Sequence, residues 1–224
     1  AGLEGGMVAT AVNLSPLPPE VFDAIGPYVH ACKMMGSMAS QILGHTPKSL
    51  KVELAGGLAD ADPAPLLAAV LDGGLSYRRL GAFSAANAES VASQHGISVT
   101  TASVRDAGEY ASSVRIVADE VEVAATLFGT EHTPRIISLM GYKIDIAPAT
   151  TSLVFEYVDA PGRIGVIGTI LGEAAANITT MQIGTKPEES CALVYMNVEG
   201  DVSEAVLDRL RGAIDLRNLW KITL

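Results

Sequence analysis

The sequence predicts an α+β fold in two parts, the second of which has the element order βαββαβ. The chain has 224 residues, of which 49% are hydrophobic, and this length accommodates one large or two small domains with a buried core. The hydrophobic periodicity changes near the proline-marked segment Ala147-Pro148-Ala149. We therefore expect a linker or arm over residues 1–16, a first domain over 17–149 and a second domain over 150–224.

Helices and strands are mixed in the expected first domain. Helical spacing of apolar residues occurs in Val21–Leu43, Pro63–Gly73, Ser76–Leu80 and Asn87–Gln94. Alternation of period two, typical of strands, occurs in Ser49–Leu58, Ile97–Ser103, Ser112–Ala118, Val121–Gly129, Arg135–Met140 and Tyr142–Ile146. Gly141 between the last two strands indicates a hairpin. The pattern predicts a mixed α/β-layer domain with a mostly antiparallel sheet.

The order becomes regular in the expected second domain. The strands fall at residues 151–158, 177–184, 190–198 and 219–223, and the helices fall at residues 164–175 and 202–212. This order is that of the ferredoxin-like split βαββαβ fold.

Composition narrows the classes of function. The formal net charge of −10 disfavours nucleic acid and anionic membranes as partners, and no apolar run approaches the ~18 residues of a membrane span. Cys32 and Cys191 lie far apart without a C-x-x-C motif, which fits a reducing cytoplasm, and the four histidines are dispersed. We expect neither a metal site nor a catalytic residue. The start at Ala1 without a signal-like segment suggests a processed or cloned fragment.

The most informative motif runs from Tyr157 to Gly165. It leaves a strand, turns through Asp159-Ala160-Pro161-Gly162 and enters a helix. Asp159 is expected to cap the helix, Pro161 to lie in its first turn and Gly162 to let a ligand approach the backbone. The helix N-terminus favours an anion, while the Asp159 carboxylate favours a cation, and a free amino acid carries both charges.

An ordinary strand–turn–helix with nothing bound has the same local sequence, so this alternative stays open. The glycines at positions 162, 165 and 168 have the spacing G-x-x-G-x-x-G, which is not the G-x-G-x-x-G spacing of dinucleotide sites.

Together with Asn177-Ile178, this motif resembles the ACT domain, a regulatory module that binds amino acids. The C-terminal βαββαβ segment looks like the ACT domain of D-3-phosphoglycerate dehydrogenases, and the preceding ~130 residues, about one domain in size, resemble the allosteric substrate-binding domain of that family. The segments that carry the second resemblance are Asn87-Ala88, His95–Val99, Gly129-Thr130, Pro134–Ile137 and Gly141–Ile146. Ala11-Val12-Asn13-Leu14 looks like the exit from the family's catalytic unit.

The resemblance implies the regulatory, L-serine-binding portion of such an enzyme without its catalytic domains. NAD then belongs to the full-length enzyme, and no cofactor is expected in this chain. The implied serine contacts are Tyr157, Asp159 and Asn177, together with the turn of Pro161, Gly162, Arg163, Ile164 and Gly165. Because the family binds serine between paired ACT domains, a homodimer or higher oligomer is implied. Each residue also has a structural alternative, as a helix cap for Asp159, a turn residue for Asn177 and a sheet residue for Tyr157.

The resemblance also implies an anion site for phosphate or the phosphorylated substrate. Arg135 and Lys143 stand at matching positions, whereas Ala147 and Met196 occupy two other positions that are basic in the family. A solvated surface is an equal alternative for both basic residues.

Three functions are alternatives to the regulatory portion of a dehydrogenase. The chain resembles the regulatory part of an iron–sulfur L-serine dehydratase in its domain order, and an amino-acid-binding protein of its own is also compatible. A hydrolase built around His95 or His132 has no nucleophile motif to support it.

Overall fold

The computed structural model describes residues 19–77, 84, 86–186, 188 and 190–224. Its helices are α1 Pro19–Leu43, α2 Ala64–Tyr77, α3 Ala88–Gln94, α4 Arg163–Glu173 and α5 Glu204–Ala213. Its strands are β1 Ser49–Gly56, β2 Ser98–Val104, β3 Ser112–Ala118, β4 Val121–Phe128, β5 Thr133–Leu139, β6 Tyr142–Ile146, β7 Thr151–Val158, β8 Asn177–Lys186, β9 Cys191–Glu199 and β10 Leu216–Thr223. The predicted α+β class is confirmed. The linker expected over residues 1–16 and the end of the Ser76–Leu80 pattern lie outside the described residues.

The chain divides into two compact units, residues 1–134 and 135–224. The division falls near the start of β5, whereas the sequence pattern suggested a boundary after Ala149. The hairpin packs closely against the rest of the second unit at Gly184 of β8. A Cβ placed on Gly184 would lie only 2.8 Å from the backbone oxygen of Lys143 on β6. A hydrogen bond of 2.9 Å from the Tyr142 hydroxyl to Glu156 of β7 adds to it.

In the first unit, β1 pairs in parallel with β2 and antiparallel with β3, and β3 pairs antiparallel with β4. Alternate residues of β1, namely Leu50, Val52 and Leu54, are buried, as the period-two pattern predicts. Of these three pairs only β1–β2 is parallel, which agrees with the mostly antiparallel sheet expected from the sequence.

Helix α2 does not end at Gly73, as the sequence pattern suggested, but continues to Tyr77. The glycines serve the packing of α2 against α1. A Cβ on Gly73 would lie 1.9 Å from the backbone oxygen of Lys33, and a Cβ on Gly36 would lie 2.0 Å from that of Val70. The glycines therefore let two helix backbones touch, a requirement that outweighs their low helix propensity.

The second unit has an antiparallel sheet of order β10-β7-β9-β8. Helices α4 and α5 supply the other half of its core, in which Phe155, Leu171, Met196 and Leu210 are inaccessible to solvent. The predicted βαββαβ order is confirmed. Strand β8 lies at one edge of this sheet, and its neighbour β9 pairs with β7.

Candidate functional site

An open cleft of about 530 Å³ lies where β7 ends and α4 begins. Seven of the eight residues predicted to bind serine line it, namely Tyr157, Asp159, Pro161, Gly162, Arg163, Ile164 and Gly165. Ala160 and Ile183 complete the lining. These seven residues are neighbours in sequence, and the turn curls them around one space.

The start of α4 differs from the expectation at two residues. The N-cap is Gly162, with φ of +87° and no side-chain cap hydrogen bond, so the prediction that Asp159 caps the helix is wrong. Pro161 precedes the cap and does not occupy the first turn. The left-handed conformation suits glycine, which has no Cβ to clash. The amides of Ile164 and Gly165 lie in the first turn, where N–H groups have no carbonyl partner within the helix. The Asp159 carboxylate is not used in capping.

Asp159 is exposed, and its backbone N–H donates to the carbonyl of Ser190 at 3.1 Å. This bond ties the cleft turn to the residue before β9. Burial raises the pKa of the neighbouring Tyr157, and the charge of Asp159 raises it further. The side chain of Tyr157 is almost fully buried. Tyr157 therefore forms a wall of the cleft, while the exposed carboxylate of Asp159 is the available acceptor.

Arg163 adds a cation that already has a partner. Its Nη2 donates to Oδ2 of Asp215 at 2.6 Å, and its side chain is one-quarter exposed. An anion at the helix N-terminus would therefore meet the backbone amides and a guanidinium that is partly neutralised.

Asn177 lies at the opposite end of β8. Asn177 pairs with Glu199 of β9. At the other end of β8, Lys186 pairs with Cys191. Cys191 pairs in turn with Val158, which is next to the cleft turn. The ten residues of β8 span about 30 Å at about 3.3 Å per residue. A single chain therefore does not bring Asn177 to the cleft that contains Asp159.

Arg135 and Lys143 lie on the two strands of the β5–β6 hairpin. Arg135 forms an ion pair with Asp145 and also donates to its backbone oxygen at 2.9 Å. In the hairpin, Ile136 pairs with Ile146 and Leu139 with Tyr142, so Arg135 lies at the open end and Lys143 beside the turn. The carbonyl of Ala147 accepts a hydrogen bond from Asn197 Nδ2 at 2.8 Å, and Met196 lies in the apolar core.

A second cleft, of about 610 Å³, lies between the hairpin turn and the C-terminal end of β8. Lys143 lines it together with Lys186, a residue that the sequence analysis did not single out. The Lys186 ammonium lies 4.2 Å from the ring centroid of Tyr142. Period-two alternation would have placed Lys186 on one face with Gly184, but no sequence signal shows that the hairpin packs there.

Other site types find little support in the part of the chain that the structure describes. In those ranges, no three His, Cys, Asp or Glu side chains gather in a way that would hold a metal ion. No helix there combines the length and apolarity needed to cross a membrane. A dinucleotide does not fit the turn before α4, because both neighbours of β7 are antiparallel, whereas such sites lie at the carboxyl edge of a parallel sheet.

Fold and cleft together define an α+β protein with an open cleft at a helix N-terminus, where a carboxylate and unpaired backbone amides lie on one turn. The sequence profile of the D-3-phosphoglycerate dehydrogenase intervening domain matches residues 24–140. The chain belongs to this family, which confirms the family recognised from the sequence.

Curated relatives match almost the whole chain. It is 25% identical over 224 residues to a D-3-phosphoglycerate dehydrogenase of Methanocaldococcus jannaschii and 30% identical over 227 residues to one of Mycobacterium leprae. A D-3-phosphoglycerate dehydrogenase of Bacillus subtilis is 26% identical over 224 residues. In each case the match covers 99% of this chain and 43% of the relative. The chain thus spans less than half the length of these relatives.

A solved structure described as "GqqA- a novel type of quorum quenching acylases" matches 35% of this chain and 33% of its own, with 22% identity and a TM-score of 0.28. A likeness at that score supports no argument about fold or function.

Proposed function

We propose that this chain is the regulatory portion of a D-3-phosphoglycerate dehydrogenase and that it binds L-serine in the cleft lined by Asp159 and the start of α4. The observation that carries the proposal is the combination of a helix N-terminus without a side-chain cap and an exposed carboxylate on one turn. These are the two charges that the ends of a free amino acid require.

The ligand carboxylate is assigned to the amides of Ile164 and Gly165, where unpaired N–H groups and the helix dipole favour an anion. Its ammonium is assigned to the carboxylate of Asp159. The hydroxyl is assigned to Asn177, whose side chain both donates and accepts. A small polar amino acid meets all three requirements.

Because Asn177 is ~30 Å of strand away from the cleft of its own chain, the proposal requires a second copy. Antiparallel pairing of two β8 edges supplies it, since an edge strand offers unpaired backbone groups. Asn177 of one copy then lies opposite Ile183 of the other, and the two-fold axis passes near Thr180. The pairing generates two equivalent clefts.

The oxidation of a phosphorylated substrate with NAD is proposed only for the whole enzyme, through domains outside this chain. The names of the relatives favour this reading over an iron–sulfur L-serine dehydratase. The proposed location is the cytoplasm, and it is supported by Cys32 and Cys191, which are buried and form no disulfide.

Calorimetry with L-serine tests the proposal on the chain itself. Asp159→Asn removes one charge-assisted bond, which is worth about 1.5–3 kcal/mol, so the affinity should fall about tenfold to a hundredfold. Asp201→Asn removes an equally exposed carboxylate from the loop before α5 and should leave the affinity unchanged. No serine heat in the wild-type chain, or equal losses in both variants, would refute the assignment.

A further inference from the structure

We propose that the outer edge of β2 is a contact surface for a second copy of this chain, in which two β2 strands pair antiparallel about Thr101. Strand β2, Ser98–Val104, is the outermost strand of its sheet and pairs in parallel with β1 without a register irregularity. Within the part of the chain that the structure describes, no strand lies on its other side. This edge belongs to the first unit, whereas the serine cleft and the β8 edge belong to the second.

The backbone of β2 directs hydrogen-bonding groups to this open edge. The N–H of Ser98 donates to the carbonyl of Lys48 at 2.8 Å, so Ser98 directs its backbone groups towards β1. The direction alternates along a strand, and Val99, Thr101 and Ser103 therefore direct their N–H and C=O groups outwards. Thr101 and Ser103 are exposed to solvent. Three consecutive outward residues are thus in position to pair with another strand.

The edge of β2 has none of the devices that commonly prevent strand pairing, which are charged side chains, proline and bulges. The segment Ser98–Val104 contains no charged residue and no proline, and its register with β1 is regular. Its last side chain, the apolar Val104, is 39% exposed. In contrast, the edge strand β10 of the second unit carries Arg217 and Lys221 and has an irregular register with β7. The edge of β2 is therefore suited to pairing.

The sequence of β2 is complementary to itself in the antiparallel arrangement. With Thr101 opposite Thr101, Val99 of each copy lies opposite Ser103 of the other. Each of these pairs exchanges two N–H···O bonds, roughly six bonds in all. Cross-strand threonine pairs also favour association. A two-fold axis at Thr101 thus satisfies the outward backbone groups of both copies.

The distribution of charge favours the same arrangement. Two copies with a net charge of −10 repel each other, so they approach most easily along an uncharged strand. Antiparallel pairing places the beginning of one β2 beside the end of the other. Lys48 is exposed near the beginning, and Asp106 is exposed just after the end. Arg105, at the same end as Asp106, is already paired with Asp60 at 3.4 Å. Unlike charges therefore lie at both ends of the interface.

The interface is small. The paired strands are about 23 Å long at about 3.3 Å per residue, which corresponds to a transient interface below about 1,200 Å². At low micromolar concentration, the assembly that binds serine is therefore unaffected. At high micromolar concentration, β2 pairing adds to any pairing of β8, and two different two-fold contacts on one chain give particles larger than a dimer.

Disulfide trapping tests the proposal and its register on the 224-residue chain. Thr101→Cys places two thiols opposite each other with Cα atoms about 5.5 Å apart, within the range of a disulfide. Ser103→Cys is the matched control on the same face, because its two copies lie about 13 Å apart along the strands. With a mild oxidant, Thr101→Cys should form linked dimers at least about tenfold faster than Ser103→Cys. The native Cys32 and Cys191 are buried and should not compete.

A second variant tests the same edge without cross-linking. Thr101→Lys places like charges directly opposite each other and should prevent pairing, although it makes the chain less negative. It should sediment more slowly than the wild type at high micromolar concentration. Thr150→Lys changes an exposed threonine outside β2 and should sediment like the wild type. Serine affinity should be unchanged in both variants.

The proposal is overturned if Thr101→Cys and Ser103→Cys cross-link at the same rate. It is also overturned if Thr101→Lys sediments like the wild type. A failure of β8 pairing would reduce the size of all the species and would leave the cross-linking difference unchanged, so the two interfaces are tested separately.

Discussion

The Tyr142 hydroxyl donates a hydrogen bond to Glu156 Oε1 at 2.9 Å and thereby links β6 to β7. Glu156 also accepts a bond of 2.7 Å from Asn218 Nδ2 on β10. One carboxylate thus joins three strands of the second unit. In contrast, the buried hydroxyl of Tyr195 on β9 has no hydrogen-bond partner among the described residues. Burial raises the pKa of Tyr195 to about 12, and the nearby Ser152 hydroxyl, which donates its own hydrogen to Asn197, lowers the pKa by a smaller amount.

Replacing each of these two tyrosines with phenylalanine should change the stability of the fold in different ways. Tyr142→Phe removes a bond to a carboxylate and should lower the free energy of unfolding by about 1–2 kcal/mol. Tyr195→Phe removes a polar atom that has no partner, so stability should be unchanged or rise by up to about 1 kcal/mol. Urea denaturation of both variants measures the difference. Equal losses would mean that the Tyr195 hydroxyl has a partner such as an ordered water.

The glycines of the second unit separate into required and replaceable positions. Gly184→Ala should lower the free energy of unfolding by about 1–3 kcal/mol, because the new methyl group would lie 2.8 Å from the Lys143 oxygen and force β6 away from β8. Gly168→Ala lies inside α4 with nothing within 4 Å of the new Cβ, and it should add about 0.5–1 kcal/mol through helix propensity. Thermal unfolding of the two variants tests both signs, and a stabilised Gly184→Ala variant would contradict the close approach.

Acid sensitivity should depend partly on Asp119, a residue with φ of +48° in the turn between β3 and β4. Desolvation acts to raise the pKa of its carboxyl, but hydrogen bonds from the amides of Lys48 and Ser49 and from the Ser49 hydroxyl outweigh it, so the pKa is lowered. A folded pKa below the unfolded value means that Asp119 stabilises the fold above its unfolded pKa of about 3.9. That stability is lost as pH falls through the lower, folded pKa.

Asp119→Asn therefore should lose less stability than the wild type when the pH is lowered from about 5 to about 2, a range that brackets the unfolded pKa. Urea denaturation across that range is the measurement. Asp106→Asn, which changes a carboxylate that accepts from the Gly108 amide in another loop, is the control. Parallel pH profiles for the wild type and Asp119→Asn would exclude this contribution.

Local patterns predicted much of this molecule because their causes are local. The strands follow the alternation of apolar residues, and the cleft turn is a run of neighbours from Tyr157 to Gly165. Features that the local patterns do not predict depend on distant parts of the chain. The length of α2 depends on its crossing with α1 at Gly73, and the pairing of Arg135 depends on the hairpin register that brings Asp145 across. Lys186 lines the second cleft because the hairpin packs on β8.

Because Asp159 and Asn177 lie far apart within one chain, mixing a variant of each residue tests whether two chains share the serine site. If each serine site combines Asp159 of one chain with Asn177 of another, then Asp159→Asn and Asn177→Ala dimers should each bind serine weakly. After unfolding and refolding the two variants together in equal amounts, half of the dimers should be mixed, and each mixed dimer has one site with both native residues. Calorimetry should then recover native affinity at about one quarter of all sites. Sedimentation must show dimers throughout, and no recovered native-affinity sites in a confirmed mixed population would refute a site shared between two chains.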